Sequence, residues 1–232
     1  LPGIKDLPSG RAGHAALREI SIEDLLGREP VSLDWEAIAA EIEAQTVLVT
    51  GGGGSIGAEL CRQIGRLKPN KLVIFDACEF NVYQIERELK LLLPDLQVHA
   101  LLGDVCDPAR LEQVFREFKP SLVLHAAAYK HVPMLESQAR QAVRNNVLGT
   151  RDTAAAAIRH GCSTFVLIST DKAVNPTNVM GASKRLAEMC CQRSDAQSPA
   201  TSFVIVRFGN VLDSAGSVVP LFREQIARGG PV

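Results

Sequence analysis

A hydroxyl, a carboxyl and a primary amine follow one another directly after an apolar run in the second half of the chain. The run covers residues 165–168, and a second lysine, Lys184, stands further on, four positions after Met180. Held together at one strand end, a carboxyl and an amine can act as general acid and general base if their protonation states differ. The stretch therefore predicts a site of proton transfer. Its candidate residues are Thr170, Asp171 and Lys172.

A glycine cluster follows the apolar run VLVT at residues 47–50. The sequence GGGGSIG places glycines at 51, 54 and 57, in the pattern G-x-x-G-x-x-G. Between a strand and a helix, such a turn lets backbone N–H groups at the helix N-terminus approach a pyrophosphate, whereas the alternative is a merely flexible turn. We predict a dinucleotide cradle here. It consists of Gly51, Gly54, Ser55, Ile56 and Gly57.

Further candidates stand after the next three apolar runs. Asp76 ends the second run about 20 residues beyond the glycines, where an acid binds ribose hydroxyls. No arginine follows it in the sequence ACEF, so NAD is preferred over NADP as the cofactor. His125 is interpreted as a core histidine, and Lys130 is a candidate substrate contact. The other predicted cofactor contacts are Asp104, Val105, Ala126, Ala127 and Ala128.

The scaffold that brings these residues together is predicted from alternating segments. From residue 46, six apolar runs alternate with helical stretches, and the runs show no polar alternation. This pattern indicates an α/β fold, a doubly wound parallel sheet whose strands are buried on both faces. Ligands of such sheets bind at the carboxyl ends of the strands. We expect a lead-in with short helices over residues 1–45 and a nucleotide-binding domain over residues 46–232.

The overall composition excludes several classes of protein. The 232 residues are 46% hydrophobic and 22% charged, with a net charge of −1, which argues against a nucleic-acid partner. No apolar run reaches the roughly 18 residues of a membrane span. The six cysteines are interpreted as free thiols of a cytoplasmic protein, and no His/Cys cluster has the spacing of a metal site.

Several motifs together resemble the extended short-chain dehydrogenase/reductases. These motifs are TGGGGSIG, HAAAYKHVP, NNVLGT, STDKAVNPTNVMGASKR and RFGNVL. Within that family the chain is similar to the nucleotide-sugar 4,6-dehydratases of polysaccharide biosynthesis, which act on UDP-N-acetylglucosamine. The resemblance implies a Rossmann-like fold, bound NAD, a UDP-sugar substrate and a homodimer.

The lead-in sequence EDLLGREPV is similar to the joint that follows a membrane-anchored region in the long branch of these dehydratases. This likeness implies an anchor upstream of the chain and a catalytic domain at the cytoplasmic face of the bacterial inner membrane. It also implies that the chain stops before a smaller carboxyl-terminal substrate domain.

The resemblance implies a reaction in three stages, with the hard redox chemistry supplied by the nicotinamide. Position C4 of the hexose is oxidised, water is lost across C5 and C6, and hydride returns to C6. Lys172 is assigned as base for the C5 proton and Asp171 as acid for the C6 hydroxyl, while Thr170 is our candidate for the C4 hydroxyl. We expect a dry pocket to keep Lys172 neutral and Asp171 protonated. Lys184 and Val211 are assigned to the nicotinamide end, and Asn210 to the substrate.

Two departures and three alternatives remain at this point. Met180 replaces the tyrosine of the family's Tyr-x-x-x-Lys motif, as in the long dehydratases, and Asp213 replaces the glycine of RFGNVLGS. One alternative is a 4-epimerase, which needs no C5 base, and another is a catalytically silent NAD-binding scaffold. In the third, Asp171 only caps a turn and Lys172 is a solvated charge.

Overall fold

The computed structural model describes residues 33–211 and 218–231. Most of the predicted lead-in lies outside these ranges, as does Asp213. The boundary predicted between residues 45 and 46 stays a prediction. Helix α1 (Trp35–Ile42) is described. Asp34 caps it, because the Asp34 carboxylate accepts a hydrogen bond from the Ala37 backbone N–H at 3.0 Å.

Six strands form one fully parallel sheet in the order β3-β2-β1-β4-β5-β6. Their bounds are β1 Thr46–Thr50, β2 Lys71–Asp76, β3 Val98–Leu102, β4 Leu122–His125, β5 Thr164–Thr170 and β6 Ser202–Phe208. This order confirms the predicted doubly wound α/β fold. The chain reverses its direction of progress between β1 and β4, so the ligand crevice is expected at the carboxyl ends of these two strands.

The helices connect successive strands across both faces of the sheet. After α1 their bounds are α2 Ser55–Arg66, α3 Glu79–Leu92, α4 Pro108–Phe118, α5 Val132–Glu136, α6 Ala139–Ala142, α7 Thr150–Arg159, α8 Val179–Gln197 and α9 Val218–Ala227. A π-helical segment, Val143–Gly149, joins α6 to α7, and a 3-10 turn, Asp171–Ala173, follows β5. Helices alternate with the strands, as the sequence pattern predicts.

Two features of the helices were not predicted. The short helix α5 lies between β4 and α6, and the π-helical segment interrupts the helical stretch that runs from α6 into α7. At the start of α7, the Thr150 hydroxyl donates back to the carbonyl oxygen of Asn146, which lies in that segment, at 2.7 Å. Such bonds from a hydroxyl back to the preceding turn compete with the regular ladder and bend helices.

Alternating strand residues face two separate cores. Leu48 packs in one core with α4, α7 and α8, whereas its neighbours Val47 and Val49 pack in the other with α1, α2 and α3. Because successive side chains of a strand point to opposite faces, both faces of β1, β2 and β4 must be apolar. Strands β1, β2 and β4 are therefore buried on both faces, as the unbroken apolar runs predict.

The prediction of burial on both faces is wrong for the two edge strands. Every residue of β3 is at least partly accessible, and on β6 Val204 and Val206 are 43% and 38% exposed. An apolar run reports the type of side chain but not which elements cover it. Among the described strands, β6 pairs with β5 alone, and its less exposed residues, Phe203 and Ile205, pack against the core that contains α8.

A buried histidine joins three elements of the sheet and its helical layer. His125, at the end of β4, is fully buried, as expected for a core histidine. Its Nδ1 lies 2.7 Å from the Thr50 hydroxyl and its Nε2 lies 3.0 Å from the Thr150 hydroxyl. Because Thr150 donates to the Asn146 carbonyl, its oxygen accepts from Nε2–H. The ring is therefore neutral, with Nδ1 accepting from Thr50.

Burial lowers the pKa of His125 to about 3, from an ordinary value of 6.5. The unfolded chain binds a proton below about pH 6.5 and the folded chain does not, so stability falls as the pH is lowered through this window. We expect His125 to cost about 2 kcal/mol of folding free energy between pH 7 and pH 5. Urea unfolding of the protein and of a His125→Asn variant at both pH values measures this difference. An equal loss of stability in the variant would show that His125 is not the group responsible.

Candidate functional site

The turn between β1 and α2 approaches the end of β4 very closely. Gly51 has φ +65°, a conformation that favours glycine, and a Cβ added there would lie 2.5 Å from the Ala127 backbone nitrogen. The Gly51 N–H donates to the Phe75 carbonyl at 2.8 Å, which ties the turn to β2. A Cβ on Gly57 would collide with the Gly51 carbonyl oxygen. Turn, helix and neighbouring strand ends are therefore packed backbone to backbone.

The start of α2 has the properties of an anion site. Gly54 is the N-cap and supplies no side chain to accept from the first helical turn. A 12-residue helix also places partial positive charge at its N-terminus. The predicted cradle residues therefore fit the pyrophosphate of a dinucleotide, because backbone N–H groups and glycine surface face the same space.

Asp76 connects the end of β2 to this turn. One oxygen of its carboxylate accepts from the Gly53 N–H at 3.0 Å, and the other accepts from the Cys78 N–H at 2.9 Å. Each oxygen has a second lone pair, which leaves acceptor capacity for ribose hydroxyls. This geometry is compatible with the predicted role of Asp76 at the adenosine end of a cofactor.

A cleft of about 1000 Å³ runs from the glycine turn along the end of β4 towards α5. It is lined by the whole predicted cradle, by Ala126, Ala128 and by Lys130, the predicted substrate contact. Sequence reasoning missed several of its lining residues, which are Arg62, Asn81, His131, Met134, Leu135, Gln138 and Gln141. The sequence did contain a signal for helix α5, which carries two of these residues. Pro133 lies in its first turn, a place that proline favours in a helix.

Six predicted cofactor residues lie outside the lining of this cleft, namely Asp76, Asp104, Val105, Ala127, Lys184 and Val211. Val105 is 4% exposed and belongs to the core with α4, and Ala127 packs against the same core. The Asp104 carboxylate accepts from the Cys106 N–H at 2.9 Å and lies 4.0 Å from the Arg144 guanidinium. Contacts of these side chains with adenine or ribose stay predictions.

The end of β5 carries the candidate acid and base in one hydrogen-bonded group. The Thr170 hydroxyl donates to Asp171 Oδ1 at 2.9 Å, and the Lys172 ammonium donates to the same oxygen at 3.0 Å. Lys172 also donates to the side-chain oxygen of Asn210 at 3.1 Å. Parallel pairing of β5 with β6 thus brings Asn210, which follows β6, beside the acid–base pair.

The expectation of a dry pocket around this pair is wrong for the structure as described. The side chains of Lys172 and Asp171 are 34% and 56% exposed. Hydrogen bonds from Lys172 and Thr170 hold the pKa of Asp171 below its ordinary value, where burial would have raised it. Asp171 is therefore a carboxylate with Lys172 as its partner, the opposite protonation from the one expected. Thr170 also caps the 3-10 turn by accepting from the Lys172 N–H.

The other two predicted catalytic side chains are buried beneath this strand end. Lys184 is 4% exposed and donates to the Ile168 carbonyl at 2.7 Å, and burial lowers its pKa to about 8. Met180 is also 4% exposed and packs in a small apolar cluster with Leu135 and Ala142. Because Leu135 also lines the cleft, Met180 supports the cleft wall through it. A part of Met180 in the chemistry stays a prediction.

Asn146, in the π-helical segment, links the cleft to α8. Its side-chain oxygen accepts from the Tyr129 N–H, and its amide donates to the Tyr129 carbonyl and to the Ser183 hydroxyl. These bonds, of 2.8 to 3.0 Å, fix the loop that carries Lys130 next to the helix that carries Lys184. Val211, the last residue described before residues 212–217, is 40% exposed.

The described residues contain no group of three or more His, Cys, Asp or Glu side chains that could hold a metal ion. In the same part of the chain no helix combines the length and the apolar character needed to cross a membrane.

The sheet order, the glycine turn and the Lys-containing helix after β5 define an extended short-chain dehydrogenase/reductase. The family model described as polysaccharide biosynthesis protein matches residues 47–232, and the chain belongs to this family. Among solved structures, Pen from Bacillus thuringiensis matches with a TM-score of 0.74 and 33% identity, covering 80% of this chain and 56% of that one.

Three curated relatives show the range of proteins that the chain resembles. Capsular polysaccharide biosynthesis protein CapD of Staphylococcus aureus is 48% identical over all of this chain and 39% of its own length. An inverting UDP-N-acetylglucosamine 4,6-dehydratase of Campylobacter jejuni and a UDP-glucose 4-epimerase of Rickettsia prowazekii are each 34% identical. In each of these two comparisons, the matched region covers 80% of this chain and 54% of the relative. The chain thus spans about half, or less, of these relatives.

The close packing of the glycine turn predicts different effects at two of its glycines. Alanine at position 57 places its Cβ on the Gly51 carbonyl, whereas alanine at position 54 places it 3.3 Å from the same oxygen. The clash is with backbone and cannot be relieved by side-chain rotation, so it outweighs the roughly 1 kcal/mol by which alanine favours a helix over glycine. We expect Gly57→Ala to lower the free energy of unfolding by about 2 kcal/mol or more.

The matched control is Gly54→Ala, for which we expect a change below about 1 kcal/mol. Urea unfolding followed by circular dichroism measures both variants. Equal stability of the two would mean that α2 does not pack on the turn as described.

Proposed function

We propose that this chain provides the NAD-binding and acid–base part of a UDP-N-acetylglucosamine 4,6-dehydratase that serves polysaccharide biosynthesis. The observation that carries the proposal is the group formed by Thr170, Asp171, Lys172 and Asn210 at the carboxyl edge of the sheet. The glycine turn opens on the same edge. The relatives named above and the motifs of the sequence support the proposal.

The residues around the cleft fit a nicotinamide dinucleotide. The glycine turn and the start of α2 would hold its pyrophosphate, Asp76 the adenosine ribose and Lys184 the nicotinamide ribose. When bound, the nicotinamide supplies hydride transfer, and the protein supplies the proton transfers.

The hydrogen bond from Thr170 to Asp171 supports a proton relay for the first stage. A substrate hydroxyl at C4 that donates to Thr170 can pass its proton through the threonine hydroxyl to the Asp171 carboxylate. Asp171 then carries the proton that the second stage needs as an acid. Lys172 gives its proton to solvent before it acts as the base of that stage.

Lys172 and Asp171 then have defined tasks in the loss of water and in the return of a proton to C5. Neutral Lys172 takes the C5 proton while Asp171 gives its proton to the departing C6 hydroxyl, which leaves as water. Lys172 returns a proton to C5 when C6 is reduced, and it regains a proton from solvent. Protons therefore balance over the cycle, and Asp171 and Lys172 end as the ion pair described above.

A 4-epimerase is the second candidate, since one relative carries that name. Epimerisation at C4 uses a base at that position and leaves the C5 proton in place. A second charged group beside Asp171, bridged to Asn210, has no task in that reaction, and this favours the dehydratase.

Mass spectrometry after incubation with UDP-N-acetylglucosamine, without added nicotinamide cofactor, tests the reaction. A dehydratase lowers the mass of the sugar nucleotide by one water, whereas an epimerase and a silent scaffold both leave that mass unchanged. We expect Lys172→Ala to reduce water loss by about 10²–10⁴-fold, the range of general acid–base contributions. The control is Lys90→Ala, because Lys90 is an exposed lysine that pairs with Glu86 on α3. Equal activity of the two variants would contradict the role of Lys172.

Two charged side chains near the adenosine end support a preference for NAD over NADP. The Asp76 carboxylate repels a 2′-phosphate at the position where it would accept ribose hydroxyls. Arg62 lines the cleft, but its guanidinium binds Glu88 at 2.6 and 2.9 Å and Glu59 at 3.1 Å. These pairs occupy the cation that could otherwise bind the phosphate.

Replacement of Asp76 by asparagine keeps the size of the side chain and removes its charge. We expect the dissociation constant for NAD to rise about tenfold, because hydrogen bonds to charged groups contribute roughly 1.5–3 kcal/mol. The dissociation constant for NADP should rise less or should fall, which isothermal titration calorimetry can measure. An unchanged ratio of the two constants would show that Asp76 does not discriminate between the cofactors.

A further inference from the structure

A second carboxylate lies directly below the acid–base group and is fully buried. Glu188 of α8 is 0% exposed, and its carboxylate accepts four hydrogen bonds. One oxygen accepts from the Ser169 hydroxyl at 2.6 Å and from Arg207 Nε at 2.8 Å, and the other accepts from Arg207 Nη2 at 2.5 Å and from Arg185 at 3.1 Å.

The four donors keep this carboxylate charged in spite of its burial. Burial alone raises the pKa of Glu188, but the hydrogen bonds from Arg207, Ser169 and Arg185 outweigh it and bring the pKa to about 2. A buried carboxylate with every lone pair satisfied does not change its protonation near neutral pH. Glu188 is thus a fixed element, with no part in moving protons.

The partners of Glu188 stand at the last rungs of the sheet before the site. Ser169 and Arg207 are paired residues of β5 and β6, and the next pair is Thr170 with Phe208. Beyond that pair both strands leave the sheet, β5 towards Lys172 and β6 towards Asn210. One carboxylate therefore binds the two strands at the point from which the acid–base group projects.

This link matters because β6 is an edge strand. In the part of the chain that the structure describes, it is paired on one side only, its outer valines are partly exposed, and the turn after it lies close to the site. A Cβ on Gly209 would lie 3.7 Å from the Asp171 carboxylate. A small shift of β6 relative to β5 would separate Asn210 from Lys172, whose contact of 3.1 Å spans the two strand ends.

We infer that Glu188 is a positioning residue for the proposed dehydratase site: it fixes the ends of β5 and β6 to each other, and so holds Asn210 against Lys172. Strand residues alternate in direction, so Ser169 faces α8 while Thr170 faces away from it. Glu188 therefore acts through Ser169 and Arg207, without touching the groups that transfer protons. The inference rests on the proposed function for its kinetic consequence but not for its structural one.

The sharpest variant is Ser169→Ala, which removes the bond to β5 and leaves the ion pair of Glu188 with Arg207 in place. Ser163→Ala is the matched control, because the Ser163 hydroxyl donates at 2.8 Å to the Ser121 carbonyl just before the opposite end of β5. We expect Ser169→Ala to lower kcat for water loss about tenfold, since small misplacements of reacting groups have effects of this order. The dissociation constant for NAD and the shape of the pH–rate profile should stay as in the unmodified protein, and so should every property of Ser163→Ala.

Amide hydrogen exchange gives a readout that needs no substrate. In Ser169→Ala we expect faster exchange in residues 171–174 and 209–211 and unchanged exchange in the glycine turn, residues 51–57. Unchanged exchange in the first two segments would overturn the inference, whether or not the protein converts UDP-N-acetylglucosamine. If the unmodified protein does convert it, an unaltered kcat in Ser169→Ala would also overturn it. Glu188→Gln, which leaves two arginines without their anion, should loosen the same two segments further.

Discussion

The Lys172 ammonium, shared between the Asp171 carboxylate and the Asn210 amide oxygen, is the interaction on which the proposed chemistry depends. Both charged side chains are accessible to water, and ion pairs of this kind contribute only about 0–1 kcal/mol. The ion pair itself therefore adds little to the stability of the fold, and both groups are open to proton exchange with substrate and solvent. The two carboxylates at this end of the sheet divide their tasks accordingly. Asp171 is exposed and can exchange protons, whereas Glu188 is buried and permanently charged.

The glycine turn, in contrast, is built from backbone. Gly51 lies against Ala127, Gly57 lies against Gly51, and Asp76 holds the Gly53 N–H. Because these contacts are between backbone atoms, the conformation of the turn can change little when a ligand binds. In the proposed function, the backbone turn would hold the cofactor, and the accessible acid–base pair would move the protons.

The sequence predicted the sheet and its helices because each apolar run and each helix start carries a local signal, as Asp34 does for α1. It also placed Thr170, Asp171 and Lys172 together, because they are adjacent in the chain. It did not reveal Glu188, since only strand register and helix packing bring that residue to Ser169 and Arg207. The protonation of Asp171 was expected wrongly for a similar reason. Solvent exposure depends on which elements cover a strand end, and residue types do not encode it locally.

The central claim is that Lys172 removes and returns the C5 proton, and solvent deuterium tests it most directly. In D2O, the product formed from UDP-N-acetylglucosamine should carry deuterium at C5, because the lysine exchanges with solvent before it gives a proton back. Nuclear magnetic resonance of the product locates the label. A Lys172→Ala variant that still forms the dehydrated product with deuterium at C5, at the rate of the unmodified protein, would contradict the account.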